Sequence, residues 1–242
     1  MKLSCIIPAY NRHPLTVRHV EECMKSSVLP DEIVVVNDGG PPELREMLIA
    51  LPRNVPIVYA RIEEDILWNY NGAVNLGIWL SRGDVIALED TDHIPDRNTY
   101  EIGLKALEEN PDVDRISYGR KIVQASDVHK PMEEWLCTGT MGTNVMVSLL
   151  RRCVFLKSKG QSERLCGRYG WMGYSWVNTI QKMGVKSLKQ NYYWAVLGDQ
   201  GEPGLQRGLH PVNRKLYKEL ARSPNYHLAD GILNFSYTFE RF

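Results

Sequence analysis

A net charge of one sign is absent: 29 Lys and Arg stand against 29 Asp and Glu in 242 residues. That balance argues against a uniformly basic nucleic-acid binder and against an acidic, self-repelling disordered chain. Long apolar runs are absent too. Stretches such as 33–36 and 145–150 break far short of the ~18 residues that a membrane-spanning helix requires. There is no convincing secretory leader, because the short apolar run after Lys2 is stopped by Pro8, Tyr10, Asn11 and Arg12. The five cysteines (Cys5, Cys23, Cys137, Cys153 and Cys166) contain no C-x-x-C pair. Neither a disulfide framework nor a zinc ribbon is indicated, and reduced, mostly buried thiols in a cytoplasmic protein are expected. The 19 Gly and 13 Pro are dispersed, which excludes a collagen-like or Pro-rich chain. What is present, 43% apolar and 24% charged residues, suits one large core or one domain with an appended lobe.

The first hundred residues alternate short apolar runs with helix-compatible stretches. Residues 3–7 read as a buried strand ended by Pro8, and 15–27 as mostly helix-compatible. Residues 32–36 are β-branched and almost fully apolar, as a central parallel strand should be. Gly39-Gly40-Pro41-Pro42 then turns into a helix reaching about Leu51. A third strand is predicted over 55–60, a helix over 70–82, and a fourth strand over 84–88 that ends in Glu89-Asp90-Thr91-Asp92. This order predicts an α/β fold, a mostly parallel sheet with helices on both faces. Further on, the pattern predicts helices over 98–109, 174–183 and 212–222, strands over 116–123, 145–147 and 185–193, and a Gly-rich loop over 198–210.

Ligands of such sheets bind beyond the C-terminal strand ends. That rule singles out Pro8-Ala9-Tyr10-Asn11, Asn37-Asp38-Gly39-Gly40 and Glu89-Asp90-Thr91-Asp92. Side chains i and i+2 of a strand share a face, so Asp90 and Asp92 are expected to point the same way. Such paired carboxylates suit Mg²⁺ or Mn²⁺, which also holds substrate phosphates, although an acidic turn at a strand end gives the same pattern. Asp38 either accepts a hydrogen bond from a base N–H or starts a turn. Tyr10 either stacks on a base or packs. Trp68-Asn69-Tyr70-Asn71 either shapes a pocket or is packing plus an Asn helix cap. Trp135, Trp171, Tyr174 and Trp176 offer faces for sugars, with core packing as the default.

In order along the chain, these segments resemble the family 2 glycosyltransferases of the GT-A, Rossmann-like fold. The resemblance rests on Cys5-Ile6-Ile7-Pro8-Ala9-Tyr10-Asn11-Arg12, on Ile33 through Asp38-Gly39-Gly40, and on Asn71-Gly72-Ala73-Val74-Asn75-Leu76-Gly77 followed by Gly83 through Asp92. Weaker pieces are Gly142-Thr143-Asn144-Val145-Met146-Val147 with Arg151 or Arg152 behind it, and Tyr169-Gly170-Trp171-Met172-Gly173-Tyr174-Ser175-Trp176. It covers residues 1 to about 190. It implies a metal-dependent transfer of a sugar from a nucleotide sugar, most simply a UDP-sugar. Residues 1–122 would form the donor half, and 123–242 the acceptor-side half, with a basic C-terminal segment, of the same domain. Pro8, Ala9, Tyr10 and Arg12 would line the base pocket, and Asp38 with Gly39 would receive the base. Asn69, Asn75, Asp90 and Thr91 would contact the rest of the donor. Asp90 and Asp92 would hold Mn²⁺ or Mg²⁺, with His210 completing the metal shell. The acceptor stays open between a saccharide, a lipid-linked sugar, a protein and a modified nucleobase; viral and phage enzymes are among those that resemble this family.

Three departures matter. Val74 stands where the family usually has an Arg before the Asn. Asp92-His93-Ile94-Pro95 shortens the metal loop, and His93 either adds a ligand or faces solvent. Trp171-Met172-Gly173 replaces the usual Trp-Glu-Asp, and neither Met nor Gly can take a proton. Three explanations follow: another acid serves, with Asp199 and Glu202 the nearest candidates; transfer is retaining; or the acceptor needs no base. Competing functions are an inactive nucleotide-sugar binding module and a nucleotidyltransferase. The latter expects a Gly-rich phosphate loop that Asn11-Arg12-His13-Pro14 lacks.

The zero charge is itself a cancellation. Residues 1–150 carry 14 Lys and Arg against 23 Asp and Glu, a net of −9, while 151–242 carry 15 against 6, a net of +9. The two surfaces either pair with each other or leave the basic one for a polyanionic acceptor such as modified DNA, an acidic glycan or a phospholipid headgroup.

Overall fold

The computed structural model describes residues 1–242 apart from Val145, 198–209 and 223–231 and the side chains of Asn191 and Leu197. The first part of the chain runs β1 (Leu3–Ala9), α1 (His13–Cys23), β2 (Glu32–Asp38), α2 (Leu44–Ile49), β3 (Ile57–Ile62), α3 (Tyr70–Leu80) and β4 (Val85–Leu88). Then come β5 (His93–Pro95), α4 (Thr99–Glu109), β6 (Arg115–Gln124), β7 (Gly139–Met141), β8 (Ser148–Arg151), α5 (Arg152–Ser158), α6 (Met172–Lys182), β9 (Ser187–Leu197), α7 (Pro211–Arg222) and β10 (Tyr237–Arg241). Among the described residues, the ten strands join one sheet in the order β10-β3-β2-β1-β4-β8-β6-β9-β5, with β7 on β6. The β3-β2-β1-β4 array is parallel, as the alternating pattern predicts. Past β4 the sheet is mixed: β8 is antiparallel to β4 and to β6, β9 is parallel to β6, and β5 is antiparallel to β9.

Every residue of β1 and β2 is buried, because helices cover both faces of the array. Cys5, Ile7, Val35 and Ala87 face one way, onto Val20 of α1, Leu44 and Leu48 of α2 and Leu107 of α4. Ile6, Val34, Val36 and Leu88 face the other, onto Leu76 of α3, Phe155 of α5 and Trp176 of α6. The period of two thus sorts each strand into two cores.

Several boundaries differ from the sequence expectation. β1 continues through Pro8 to Ala9. β4 has already ended opposite Ile6, so the missing proline N–H faces no strand on that side, and the Pro8 carbonyl accepts the Thr91 hydroxyl instead, at 2.6 Å. α1 begins at His13 with Pro14 in its first turn and ends at Cys23, short of residue 27. The strand expected over 145–147 lies at Ser148–Arg151; Val145 is outside the described residues, and the Met146 N–H is held by the Asn144 side chain in the preceding turn. The strand expected over 185–193 lies at Ser187–Leu197. α5, β5, β7 and β10 are short or partly exposed and carry too little periodicity to be predicted. All five cysteines are free; Cys5 and Cys23 are buried, Cys166 is half-buried, and Cys137 and Cys153 are exposed, contrary to the expectation of mostly buried thiols.

Gly77 lies on α3 where the helix crosses β1. A Cβ there would meet Ile6 Cγ2 at 2.4 Å. In an open helix Gly→Ala gains about 1 kcal/mol; here Gly77→Ala is expected to destabilise by about 1–3 kcal/mol through overpacking. Combining it with Ile6→Ala should cost less than the sum of the two single changes. Urea unfolding of the four proteins checks both statements.

Candidate active site

The parallel register sets the site. Ala9 pairs with Asn37 and Ile6 with Leu88, so the residues following β1, β2 and β4 emerge at one edge of the array. At the end of β2, Asp38 is 7% exposed and accepts a hydrogen bond from Asn69 Nδ2 at 3.0 Å. Burial pushes its carboxyl up to about 7 against the pull of Asn69, and the nearby Asp65 charge adds to the rise. Gly39 has φ 74, and a Cβ on it would lie 2.7 Å from the Asp65 Cα. A Cβ on Gly40 would lie 2.3 Å from the Tyr10 carbonyl oxygen. The glycines therefore let the 64–65 backbone and the β1 end close over Asp38. The Tyr10 ring is exposed, and its hydroxyl donates to Asp65 Oδ1 at 3.0 Å. Pro8 and Ala9 are buried beneath it.

Asn69 precedes α3 but makes no side-chain cap; its amide serves Asp38. Asn75, expected at the donor, is fully buried and committed elsewhere. Its Nδ2 donates to the Gln161 carbonyl and to Glu163 Oε1, both at 2.8 Å, and its Oδ1 accepts the Gln161 N–H. It fastens the 161–163 segment to α3, and both of its N–H donors are taken.

The acidic segment lies beyond β4, in a turn closed by the His93 N–H on the Asp90 carbonyl at 2.8 Å. Turn geometry, not strand alternation, is what brings the two carboxylates together. Ligand atoms of Asp90, Asp92 and His93 lie within 4.8 Å of one another. Asp90 accepts from the Tyr70 hydroxyl and from Asn144 Nδ2 at 3.0 Å. Burial holds its carboxyl above the ordinary range, with the Asp92 charge adding and His93 opposing. Burial also pushes Asp92 up, but the hydrogen bond and charge of His93, with Arg12 behind them, hold it below the ordinary range. Arg12 Nη1 is 3.3 Å from Asp92 Oδ2. His93 Nδ1 lies 2.7 Å from Asp92 Oδ1, and its Nε2 lies 3.3 Å from Arg120 Nη1. Two carboxylates and an imidazole at this spacing form an oxygen-rich donor set that fits Mg²⁺ or Mn²⁺.

Directly behind this turn is a buried polar cluster. Glu89, fully buried, receives the Tyr100 and Tyr193 hydroxyls on Oε1, both at 2.7 Å, and His19 Nε2 lies 2.8 Å from its Oε2. His19 Nδ1 faces the Thr91 carbonyl at 3.3 Å. With an acceptor at each ring nitrogen, His19 is an imidazolium. Burial alone would lower it; the Cys23 sulfur and the Glu89 carboxylate outweigh that and raise it to about 10.

The remaining expectations separate. His210 is not among the groups drawn together at the acidic turn; its Nδ1 accepts the Val212 N–H at 3.3 Å at the start of α7. His93 lies beside the two carboxylates instead. Asp199 and Glu202 lie outside the described residues. Trp171, at φ 70 before α6, stacks on Tyr217 of α7 with ring centroids 5.1 Å apart. Trp135 and Trp176 are core, whereas Tyr174 is exposed. Sequence reasoning missed Arg120 and His19. The signal for His19 was available: His19 and Cys23 are one helical turn apart on the buried face of α1, and Glu89 extends the alternation of Val85 and Ala87, so opposite charges were aimed at the same core.

The Glycosyl transferase family 2 profile matches residues 4–151, more than half of the chain. A protein described as an uncharacterized glycosyltransferase of Rickettsia bellii is 28% identical over 63% of this chain and 21% of its own length. The uncharacterized glycosyltransferase YwdF of Bacillus subtilis is 34% identical over 38% of this chain and 33% of its own. The chain thus spans a third or less of these relatives. Among solved structures, S. aureus TarS 1–349 in complex with UDP-GlcNAc superposes with a TM-score of 0.70 at 14% identity, covering 93% of this chain and 68% of that one. The mannosyltransferase PcManGT of Pyrobaculum calidifontis, in complex with GDP-Man and Mn²⁺, gives 0.59 at 16% identity over 83% of this chain and 58% of that one. These likenesses show the GT-A glycosyltransferase fold, and with the profile match over β1 to β8 the chain belongs to glycosyl transferase family 2.

Proposed function

We propose that this protein transfers a sugar from a UDP-sugar, using a divalent cation held by Asp90 and Asp92, with His93 rather than His210 as the nitrogen donor. The observation that carries the reading is the convergence of these three ligand groups within 4.8 Å at the same sheet edge as Asp38. The structural neighbours were solved with UDP-GlcNAc and with GDP-Man and Mn²⁺, which supports both parts. A bound cation would neutralise charge on the departing nucleoside diphosphate. The chain's own part is placement. The Asp38 carboxylate accepts a base N–H, and Tyr10 offers the base an exposed ring. Arg12 and Arg120 flank the acidic pair and supply positive charge to the diphosphate, in place of the Arg that Val74 replaces.

The donor half is 1–122 and the acceptor side 123–242, with β10 returning to the edge of β3. The general base does not come from Met172 or Gly173. β9 brings the chain to the acidic turn, where the Val196 N–H donates to the Asp92 carbonyl at 2.9 Å. Asp199 and Glu202 follow β9 in sequence and are the acids to test. A polyanionic acceptor is favoured by α7, which exposes Arg214, Lys215, Lys218 and Arg222, none in an ion pair among the described residues. Binding of such a polymer should weaken steeply with salt.

With Mn²⁺, UDP should raise the melting temperature of the wild type, and Asp92→Ala should lose the Mn²⁺-dependent part of that shift. UDP-sugar hydrolysis with Mn²⁺ should be measurable and should fall at least tenfold in Asp199→Asn or Glu202→Gln. Tight UDP binding without turnover of any donor would establish a binding module instead.

Asp38 gives a pH signature. Its folded value of about 7 lies above the ordinary unfolded value of about 3.9. The protonated form is thus favoured in the native state, and that stabilisation is complete below pH ~4 and lost as pH rises through about 7. The urea midpoint of the wild type should therefore fall relative to Asp38→Asn between pH 4 and 7 and no further above. UDP affinity should rise from pH 6 to 8 in the wild type relative to Asp38→Asn, since only the ionised carboxylate accepts on both oxygens.

A further inference from the structure

We propose that the buried His19–Glu89 ion pair is the positioning device of the acidic turn, fixing its backbone so that Asp90 and Asp92 present their oxygens to one point before a cation arrives. This rests on the reading of that turn as a cation site. The requirement is physical: two carboxylates within 4.8 Å of each other repel, and a turn without anchors would let them separate. The anchors are all on the page. The Glu89 N–H donates to the Ile6 carbonyl at 3.1 Å, tying the start of the turn to β1. The Thr91 hydroxyl donates to the Pro8 carbonyl at 2.6 Å. His19 grips the turn at two points, through Nε2 on the Glu89 carboxylate and Nδ1 on the Thr91 carbonyl.

Glu89 is in turn locked by the Tyr100 hydroxyl from α4 and the Tyr193 hydroxyl from β9. The turn is therefore braced from α1, α4 and β9 at once. Asp90 and Glu89 leave the β4 end on opposite faces: one meets Tyr70 and Asn144, the other His19. His19 and Glu89 thus act through the turn without touching the donor.

A purely structural role makes a different forecast. Buried ion pairs exchanged for apolar residues of similar size are often neutral or stabilising. If the pair were only core filling, the double variant His19→Leu/Glu89→Met would fold and bind cations as before. The positioning role expects that variant to fold, with a melting temperature near the wild type. Its Mn²⁺ affinity in the presence of UDP, read from the free-Mn²⁺ paramagnetic resonance signal, should drop about 10- to 100-fold, as when groups behind metal ligands are removed. UDP binding in EDTA, read by calorimetry, should be unchanged, because the Asp38 end is untouched. His19→Gln keeps a donor to only one of the two acceptors and should show a smaller loss; it serves as the readout if the double variant does not fold. Unchanged Mn²⁺ affinity in whichever variant folds, or parallel losses of metal-free and metal-dependent UDP binding, would overturn the proposal. Absence of Mn²⁺-dependent UDP binding in the wild type would overturn the cation reading itself, and this inference with it.

Discussion

The register of β1 between β2 and β4 governs the rest of the structure. Because Ala9 sits beside Asn37 and Ile6 beside Leu88, three chain segments leave the sheet at the same edge with no freedom to slip. A shift of one residue would turn each strand's core side chains onto the opposite helical layer. Ser4, buried in β1, donates to Glu32 at 2.7 Å and accepts the Gly83 N–H at 2.8 Å, and such a slip would strand it without those partners. Asp38, the Tyr10 ring and the Asp90–Asp92 turn are consequences of that register.

The same constraint explains why polar residues are buried here without loss of the fold. Past β4, the Ile6 and Pro8 carbonyls have no strand partner, and the Glu89 N–H and the Thr91 hydroxyl take them. The turn thereby completes the hydrogen bonding of β1, and β1 completes the geometry of the turn. Glu89 falls on the α1 face by alternation, where only a cation and hydroxyl donors can make a buried carboxylate tolerable. His19, Tyr100 and Tyr193 meet that need.

How much of this is legible from sequence depends on which force decides each element. The parallel core was legible because its strands are continuous apolar runs and its ends carry Pro8, Gly39-Gly40 and an acidic cluster. The family resemblance was legible from the order of those pieces. The mixed half was less so: β5, β7 and β10 are held by pairing with partners distant in sequence, and β10 contacts β3 across more than half of the chain. At the sheet edge, residue type and place singled out Asp38, Asp90 and Asp92, and the structure brings Asp90 and Asp92 together. Asn75 misled because residue type does not reveal that its amide is taken by the 161–163 segment. His210 lies apart from the acidic turn in the structure, where a histidine before a helix serves that helix's own N–H groups. His93 was open between ligand and solvent until the turn closed on Asp90.

The turn before α6 shows where the chemistry has to come from. Trp171 holds a left-handed backbone at φ 70, a conformation that costs of order 1–3 kcal/mol for a bulky residue unless its surroundings hold it. Those surroundings are aromatic and cationic: Tyr217 stacks on the indole, Tyr174 packs at 5.4 Å and the Arg214 guanidinium lies over it at 5.9 Å. Asn213 Nδ2 of α7 lies within 3.1 Å of the carbonyls of Leu165, Arg168 and Gly170 and donates its two N–H groups among them, clamping the segment that leads into the turn. The fold keeps this corner in place without a carboxylate at 172 or 173. A corner so fixed by α7 presents aromatic rings and a guanidinium, but neither Met172 nor Gly173 in it can take a proton. Met172 and Gly173 offer no carboxylate there, whereas β9 brings the chain to the Asp92 carbonyl from another direction.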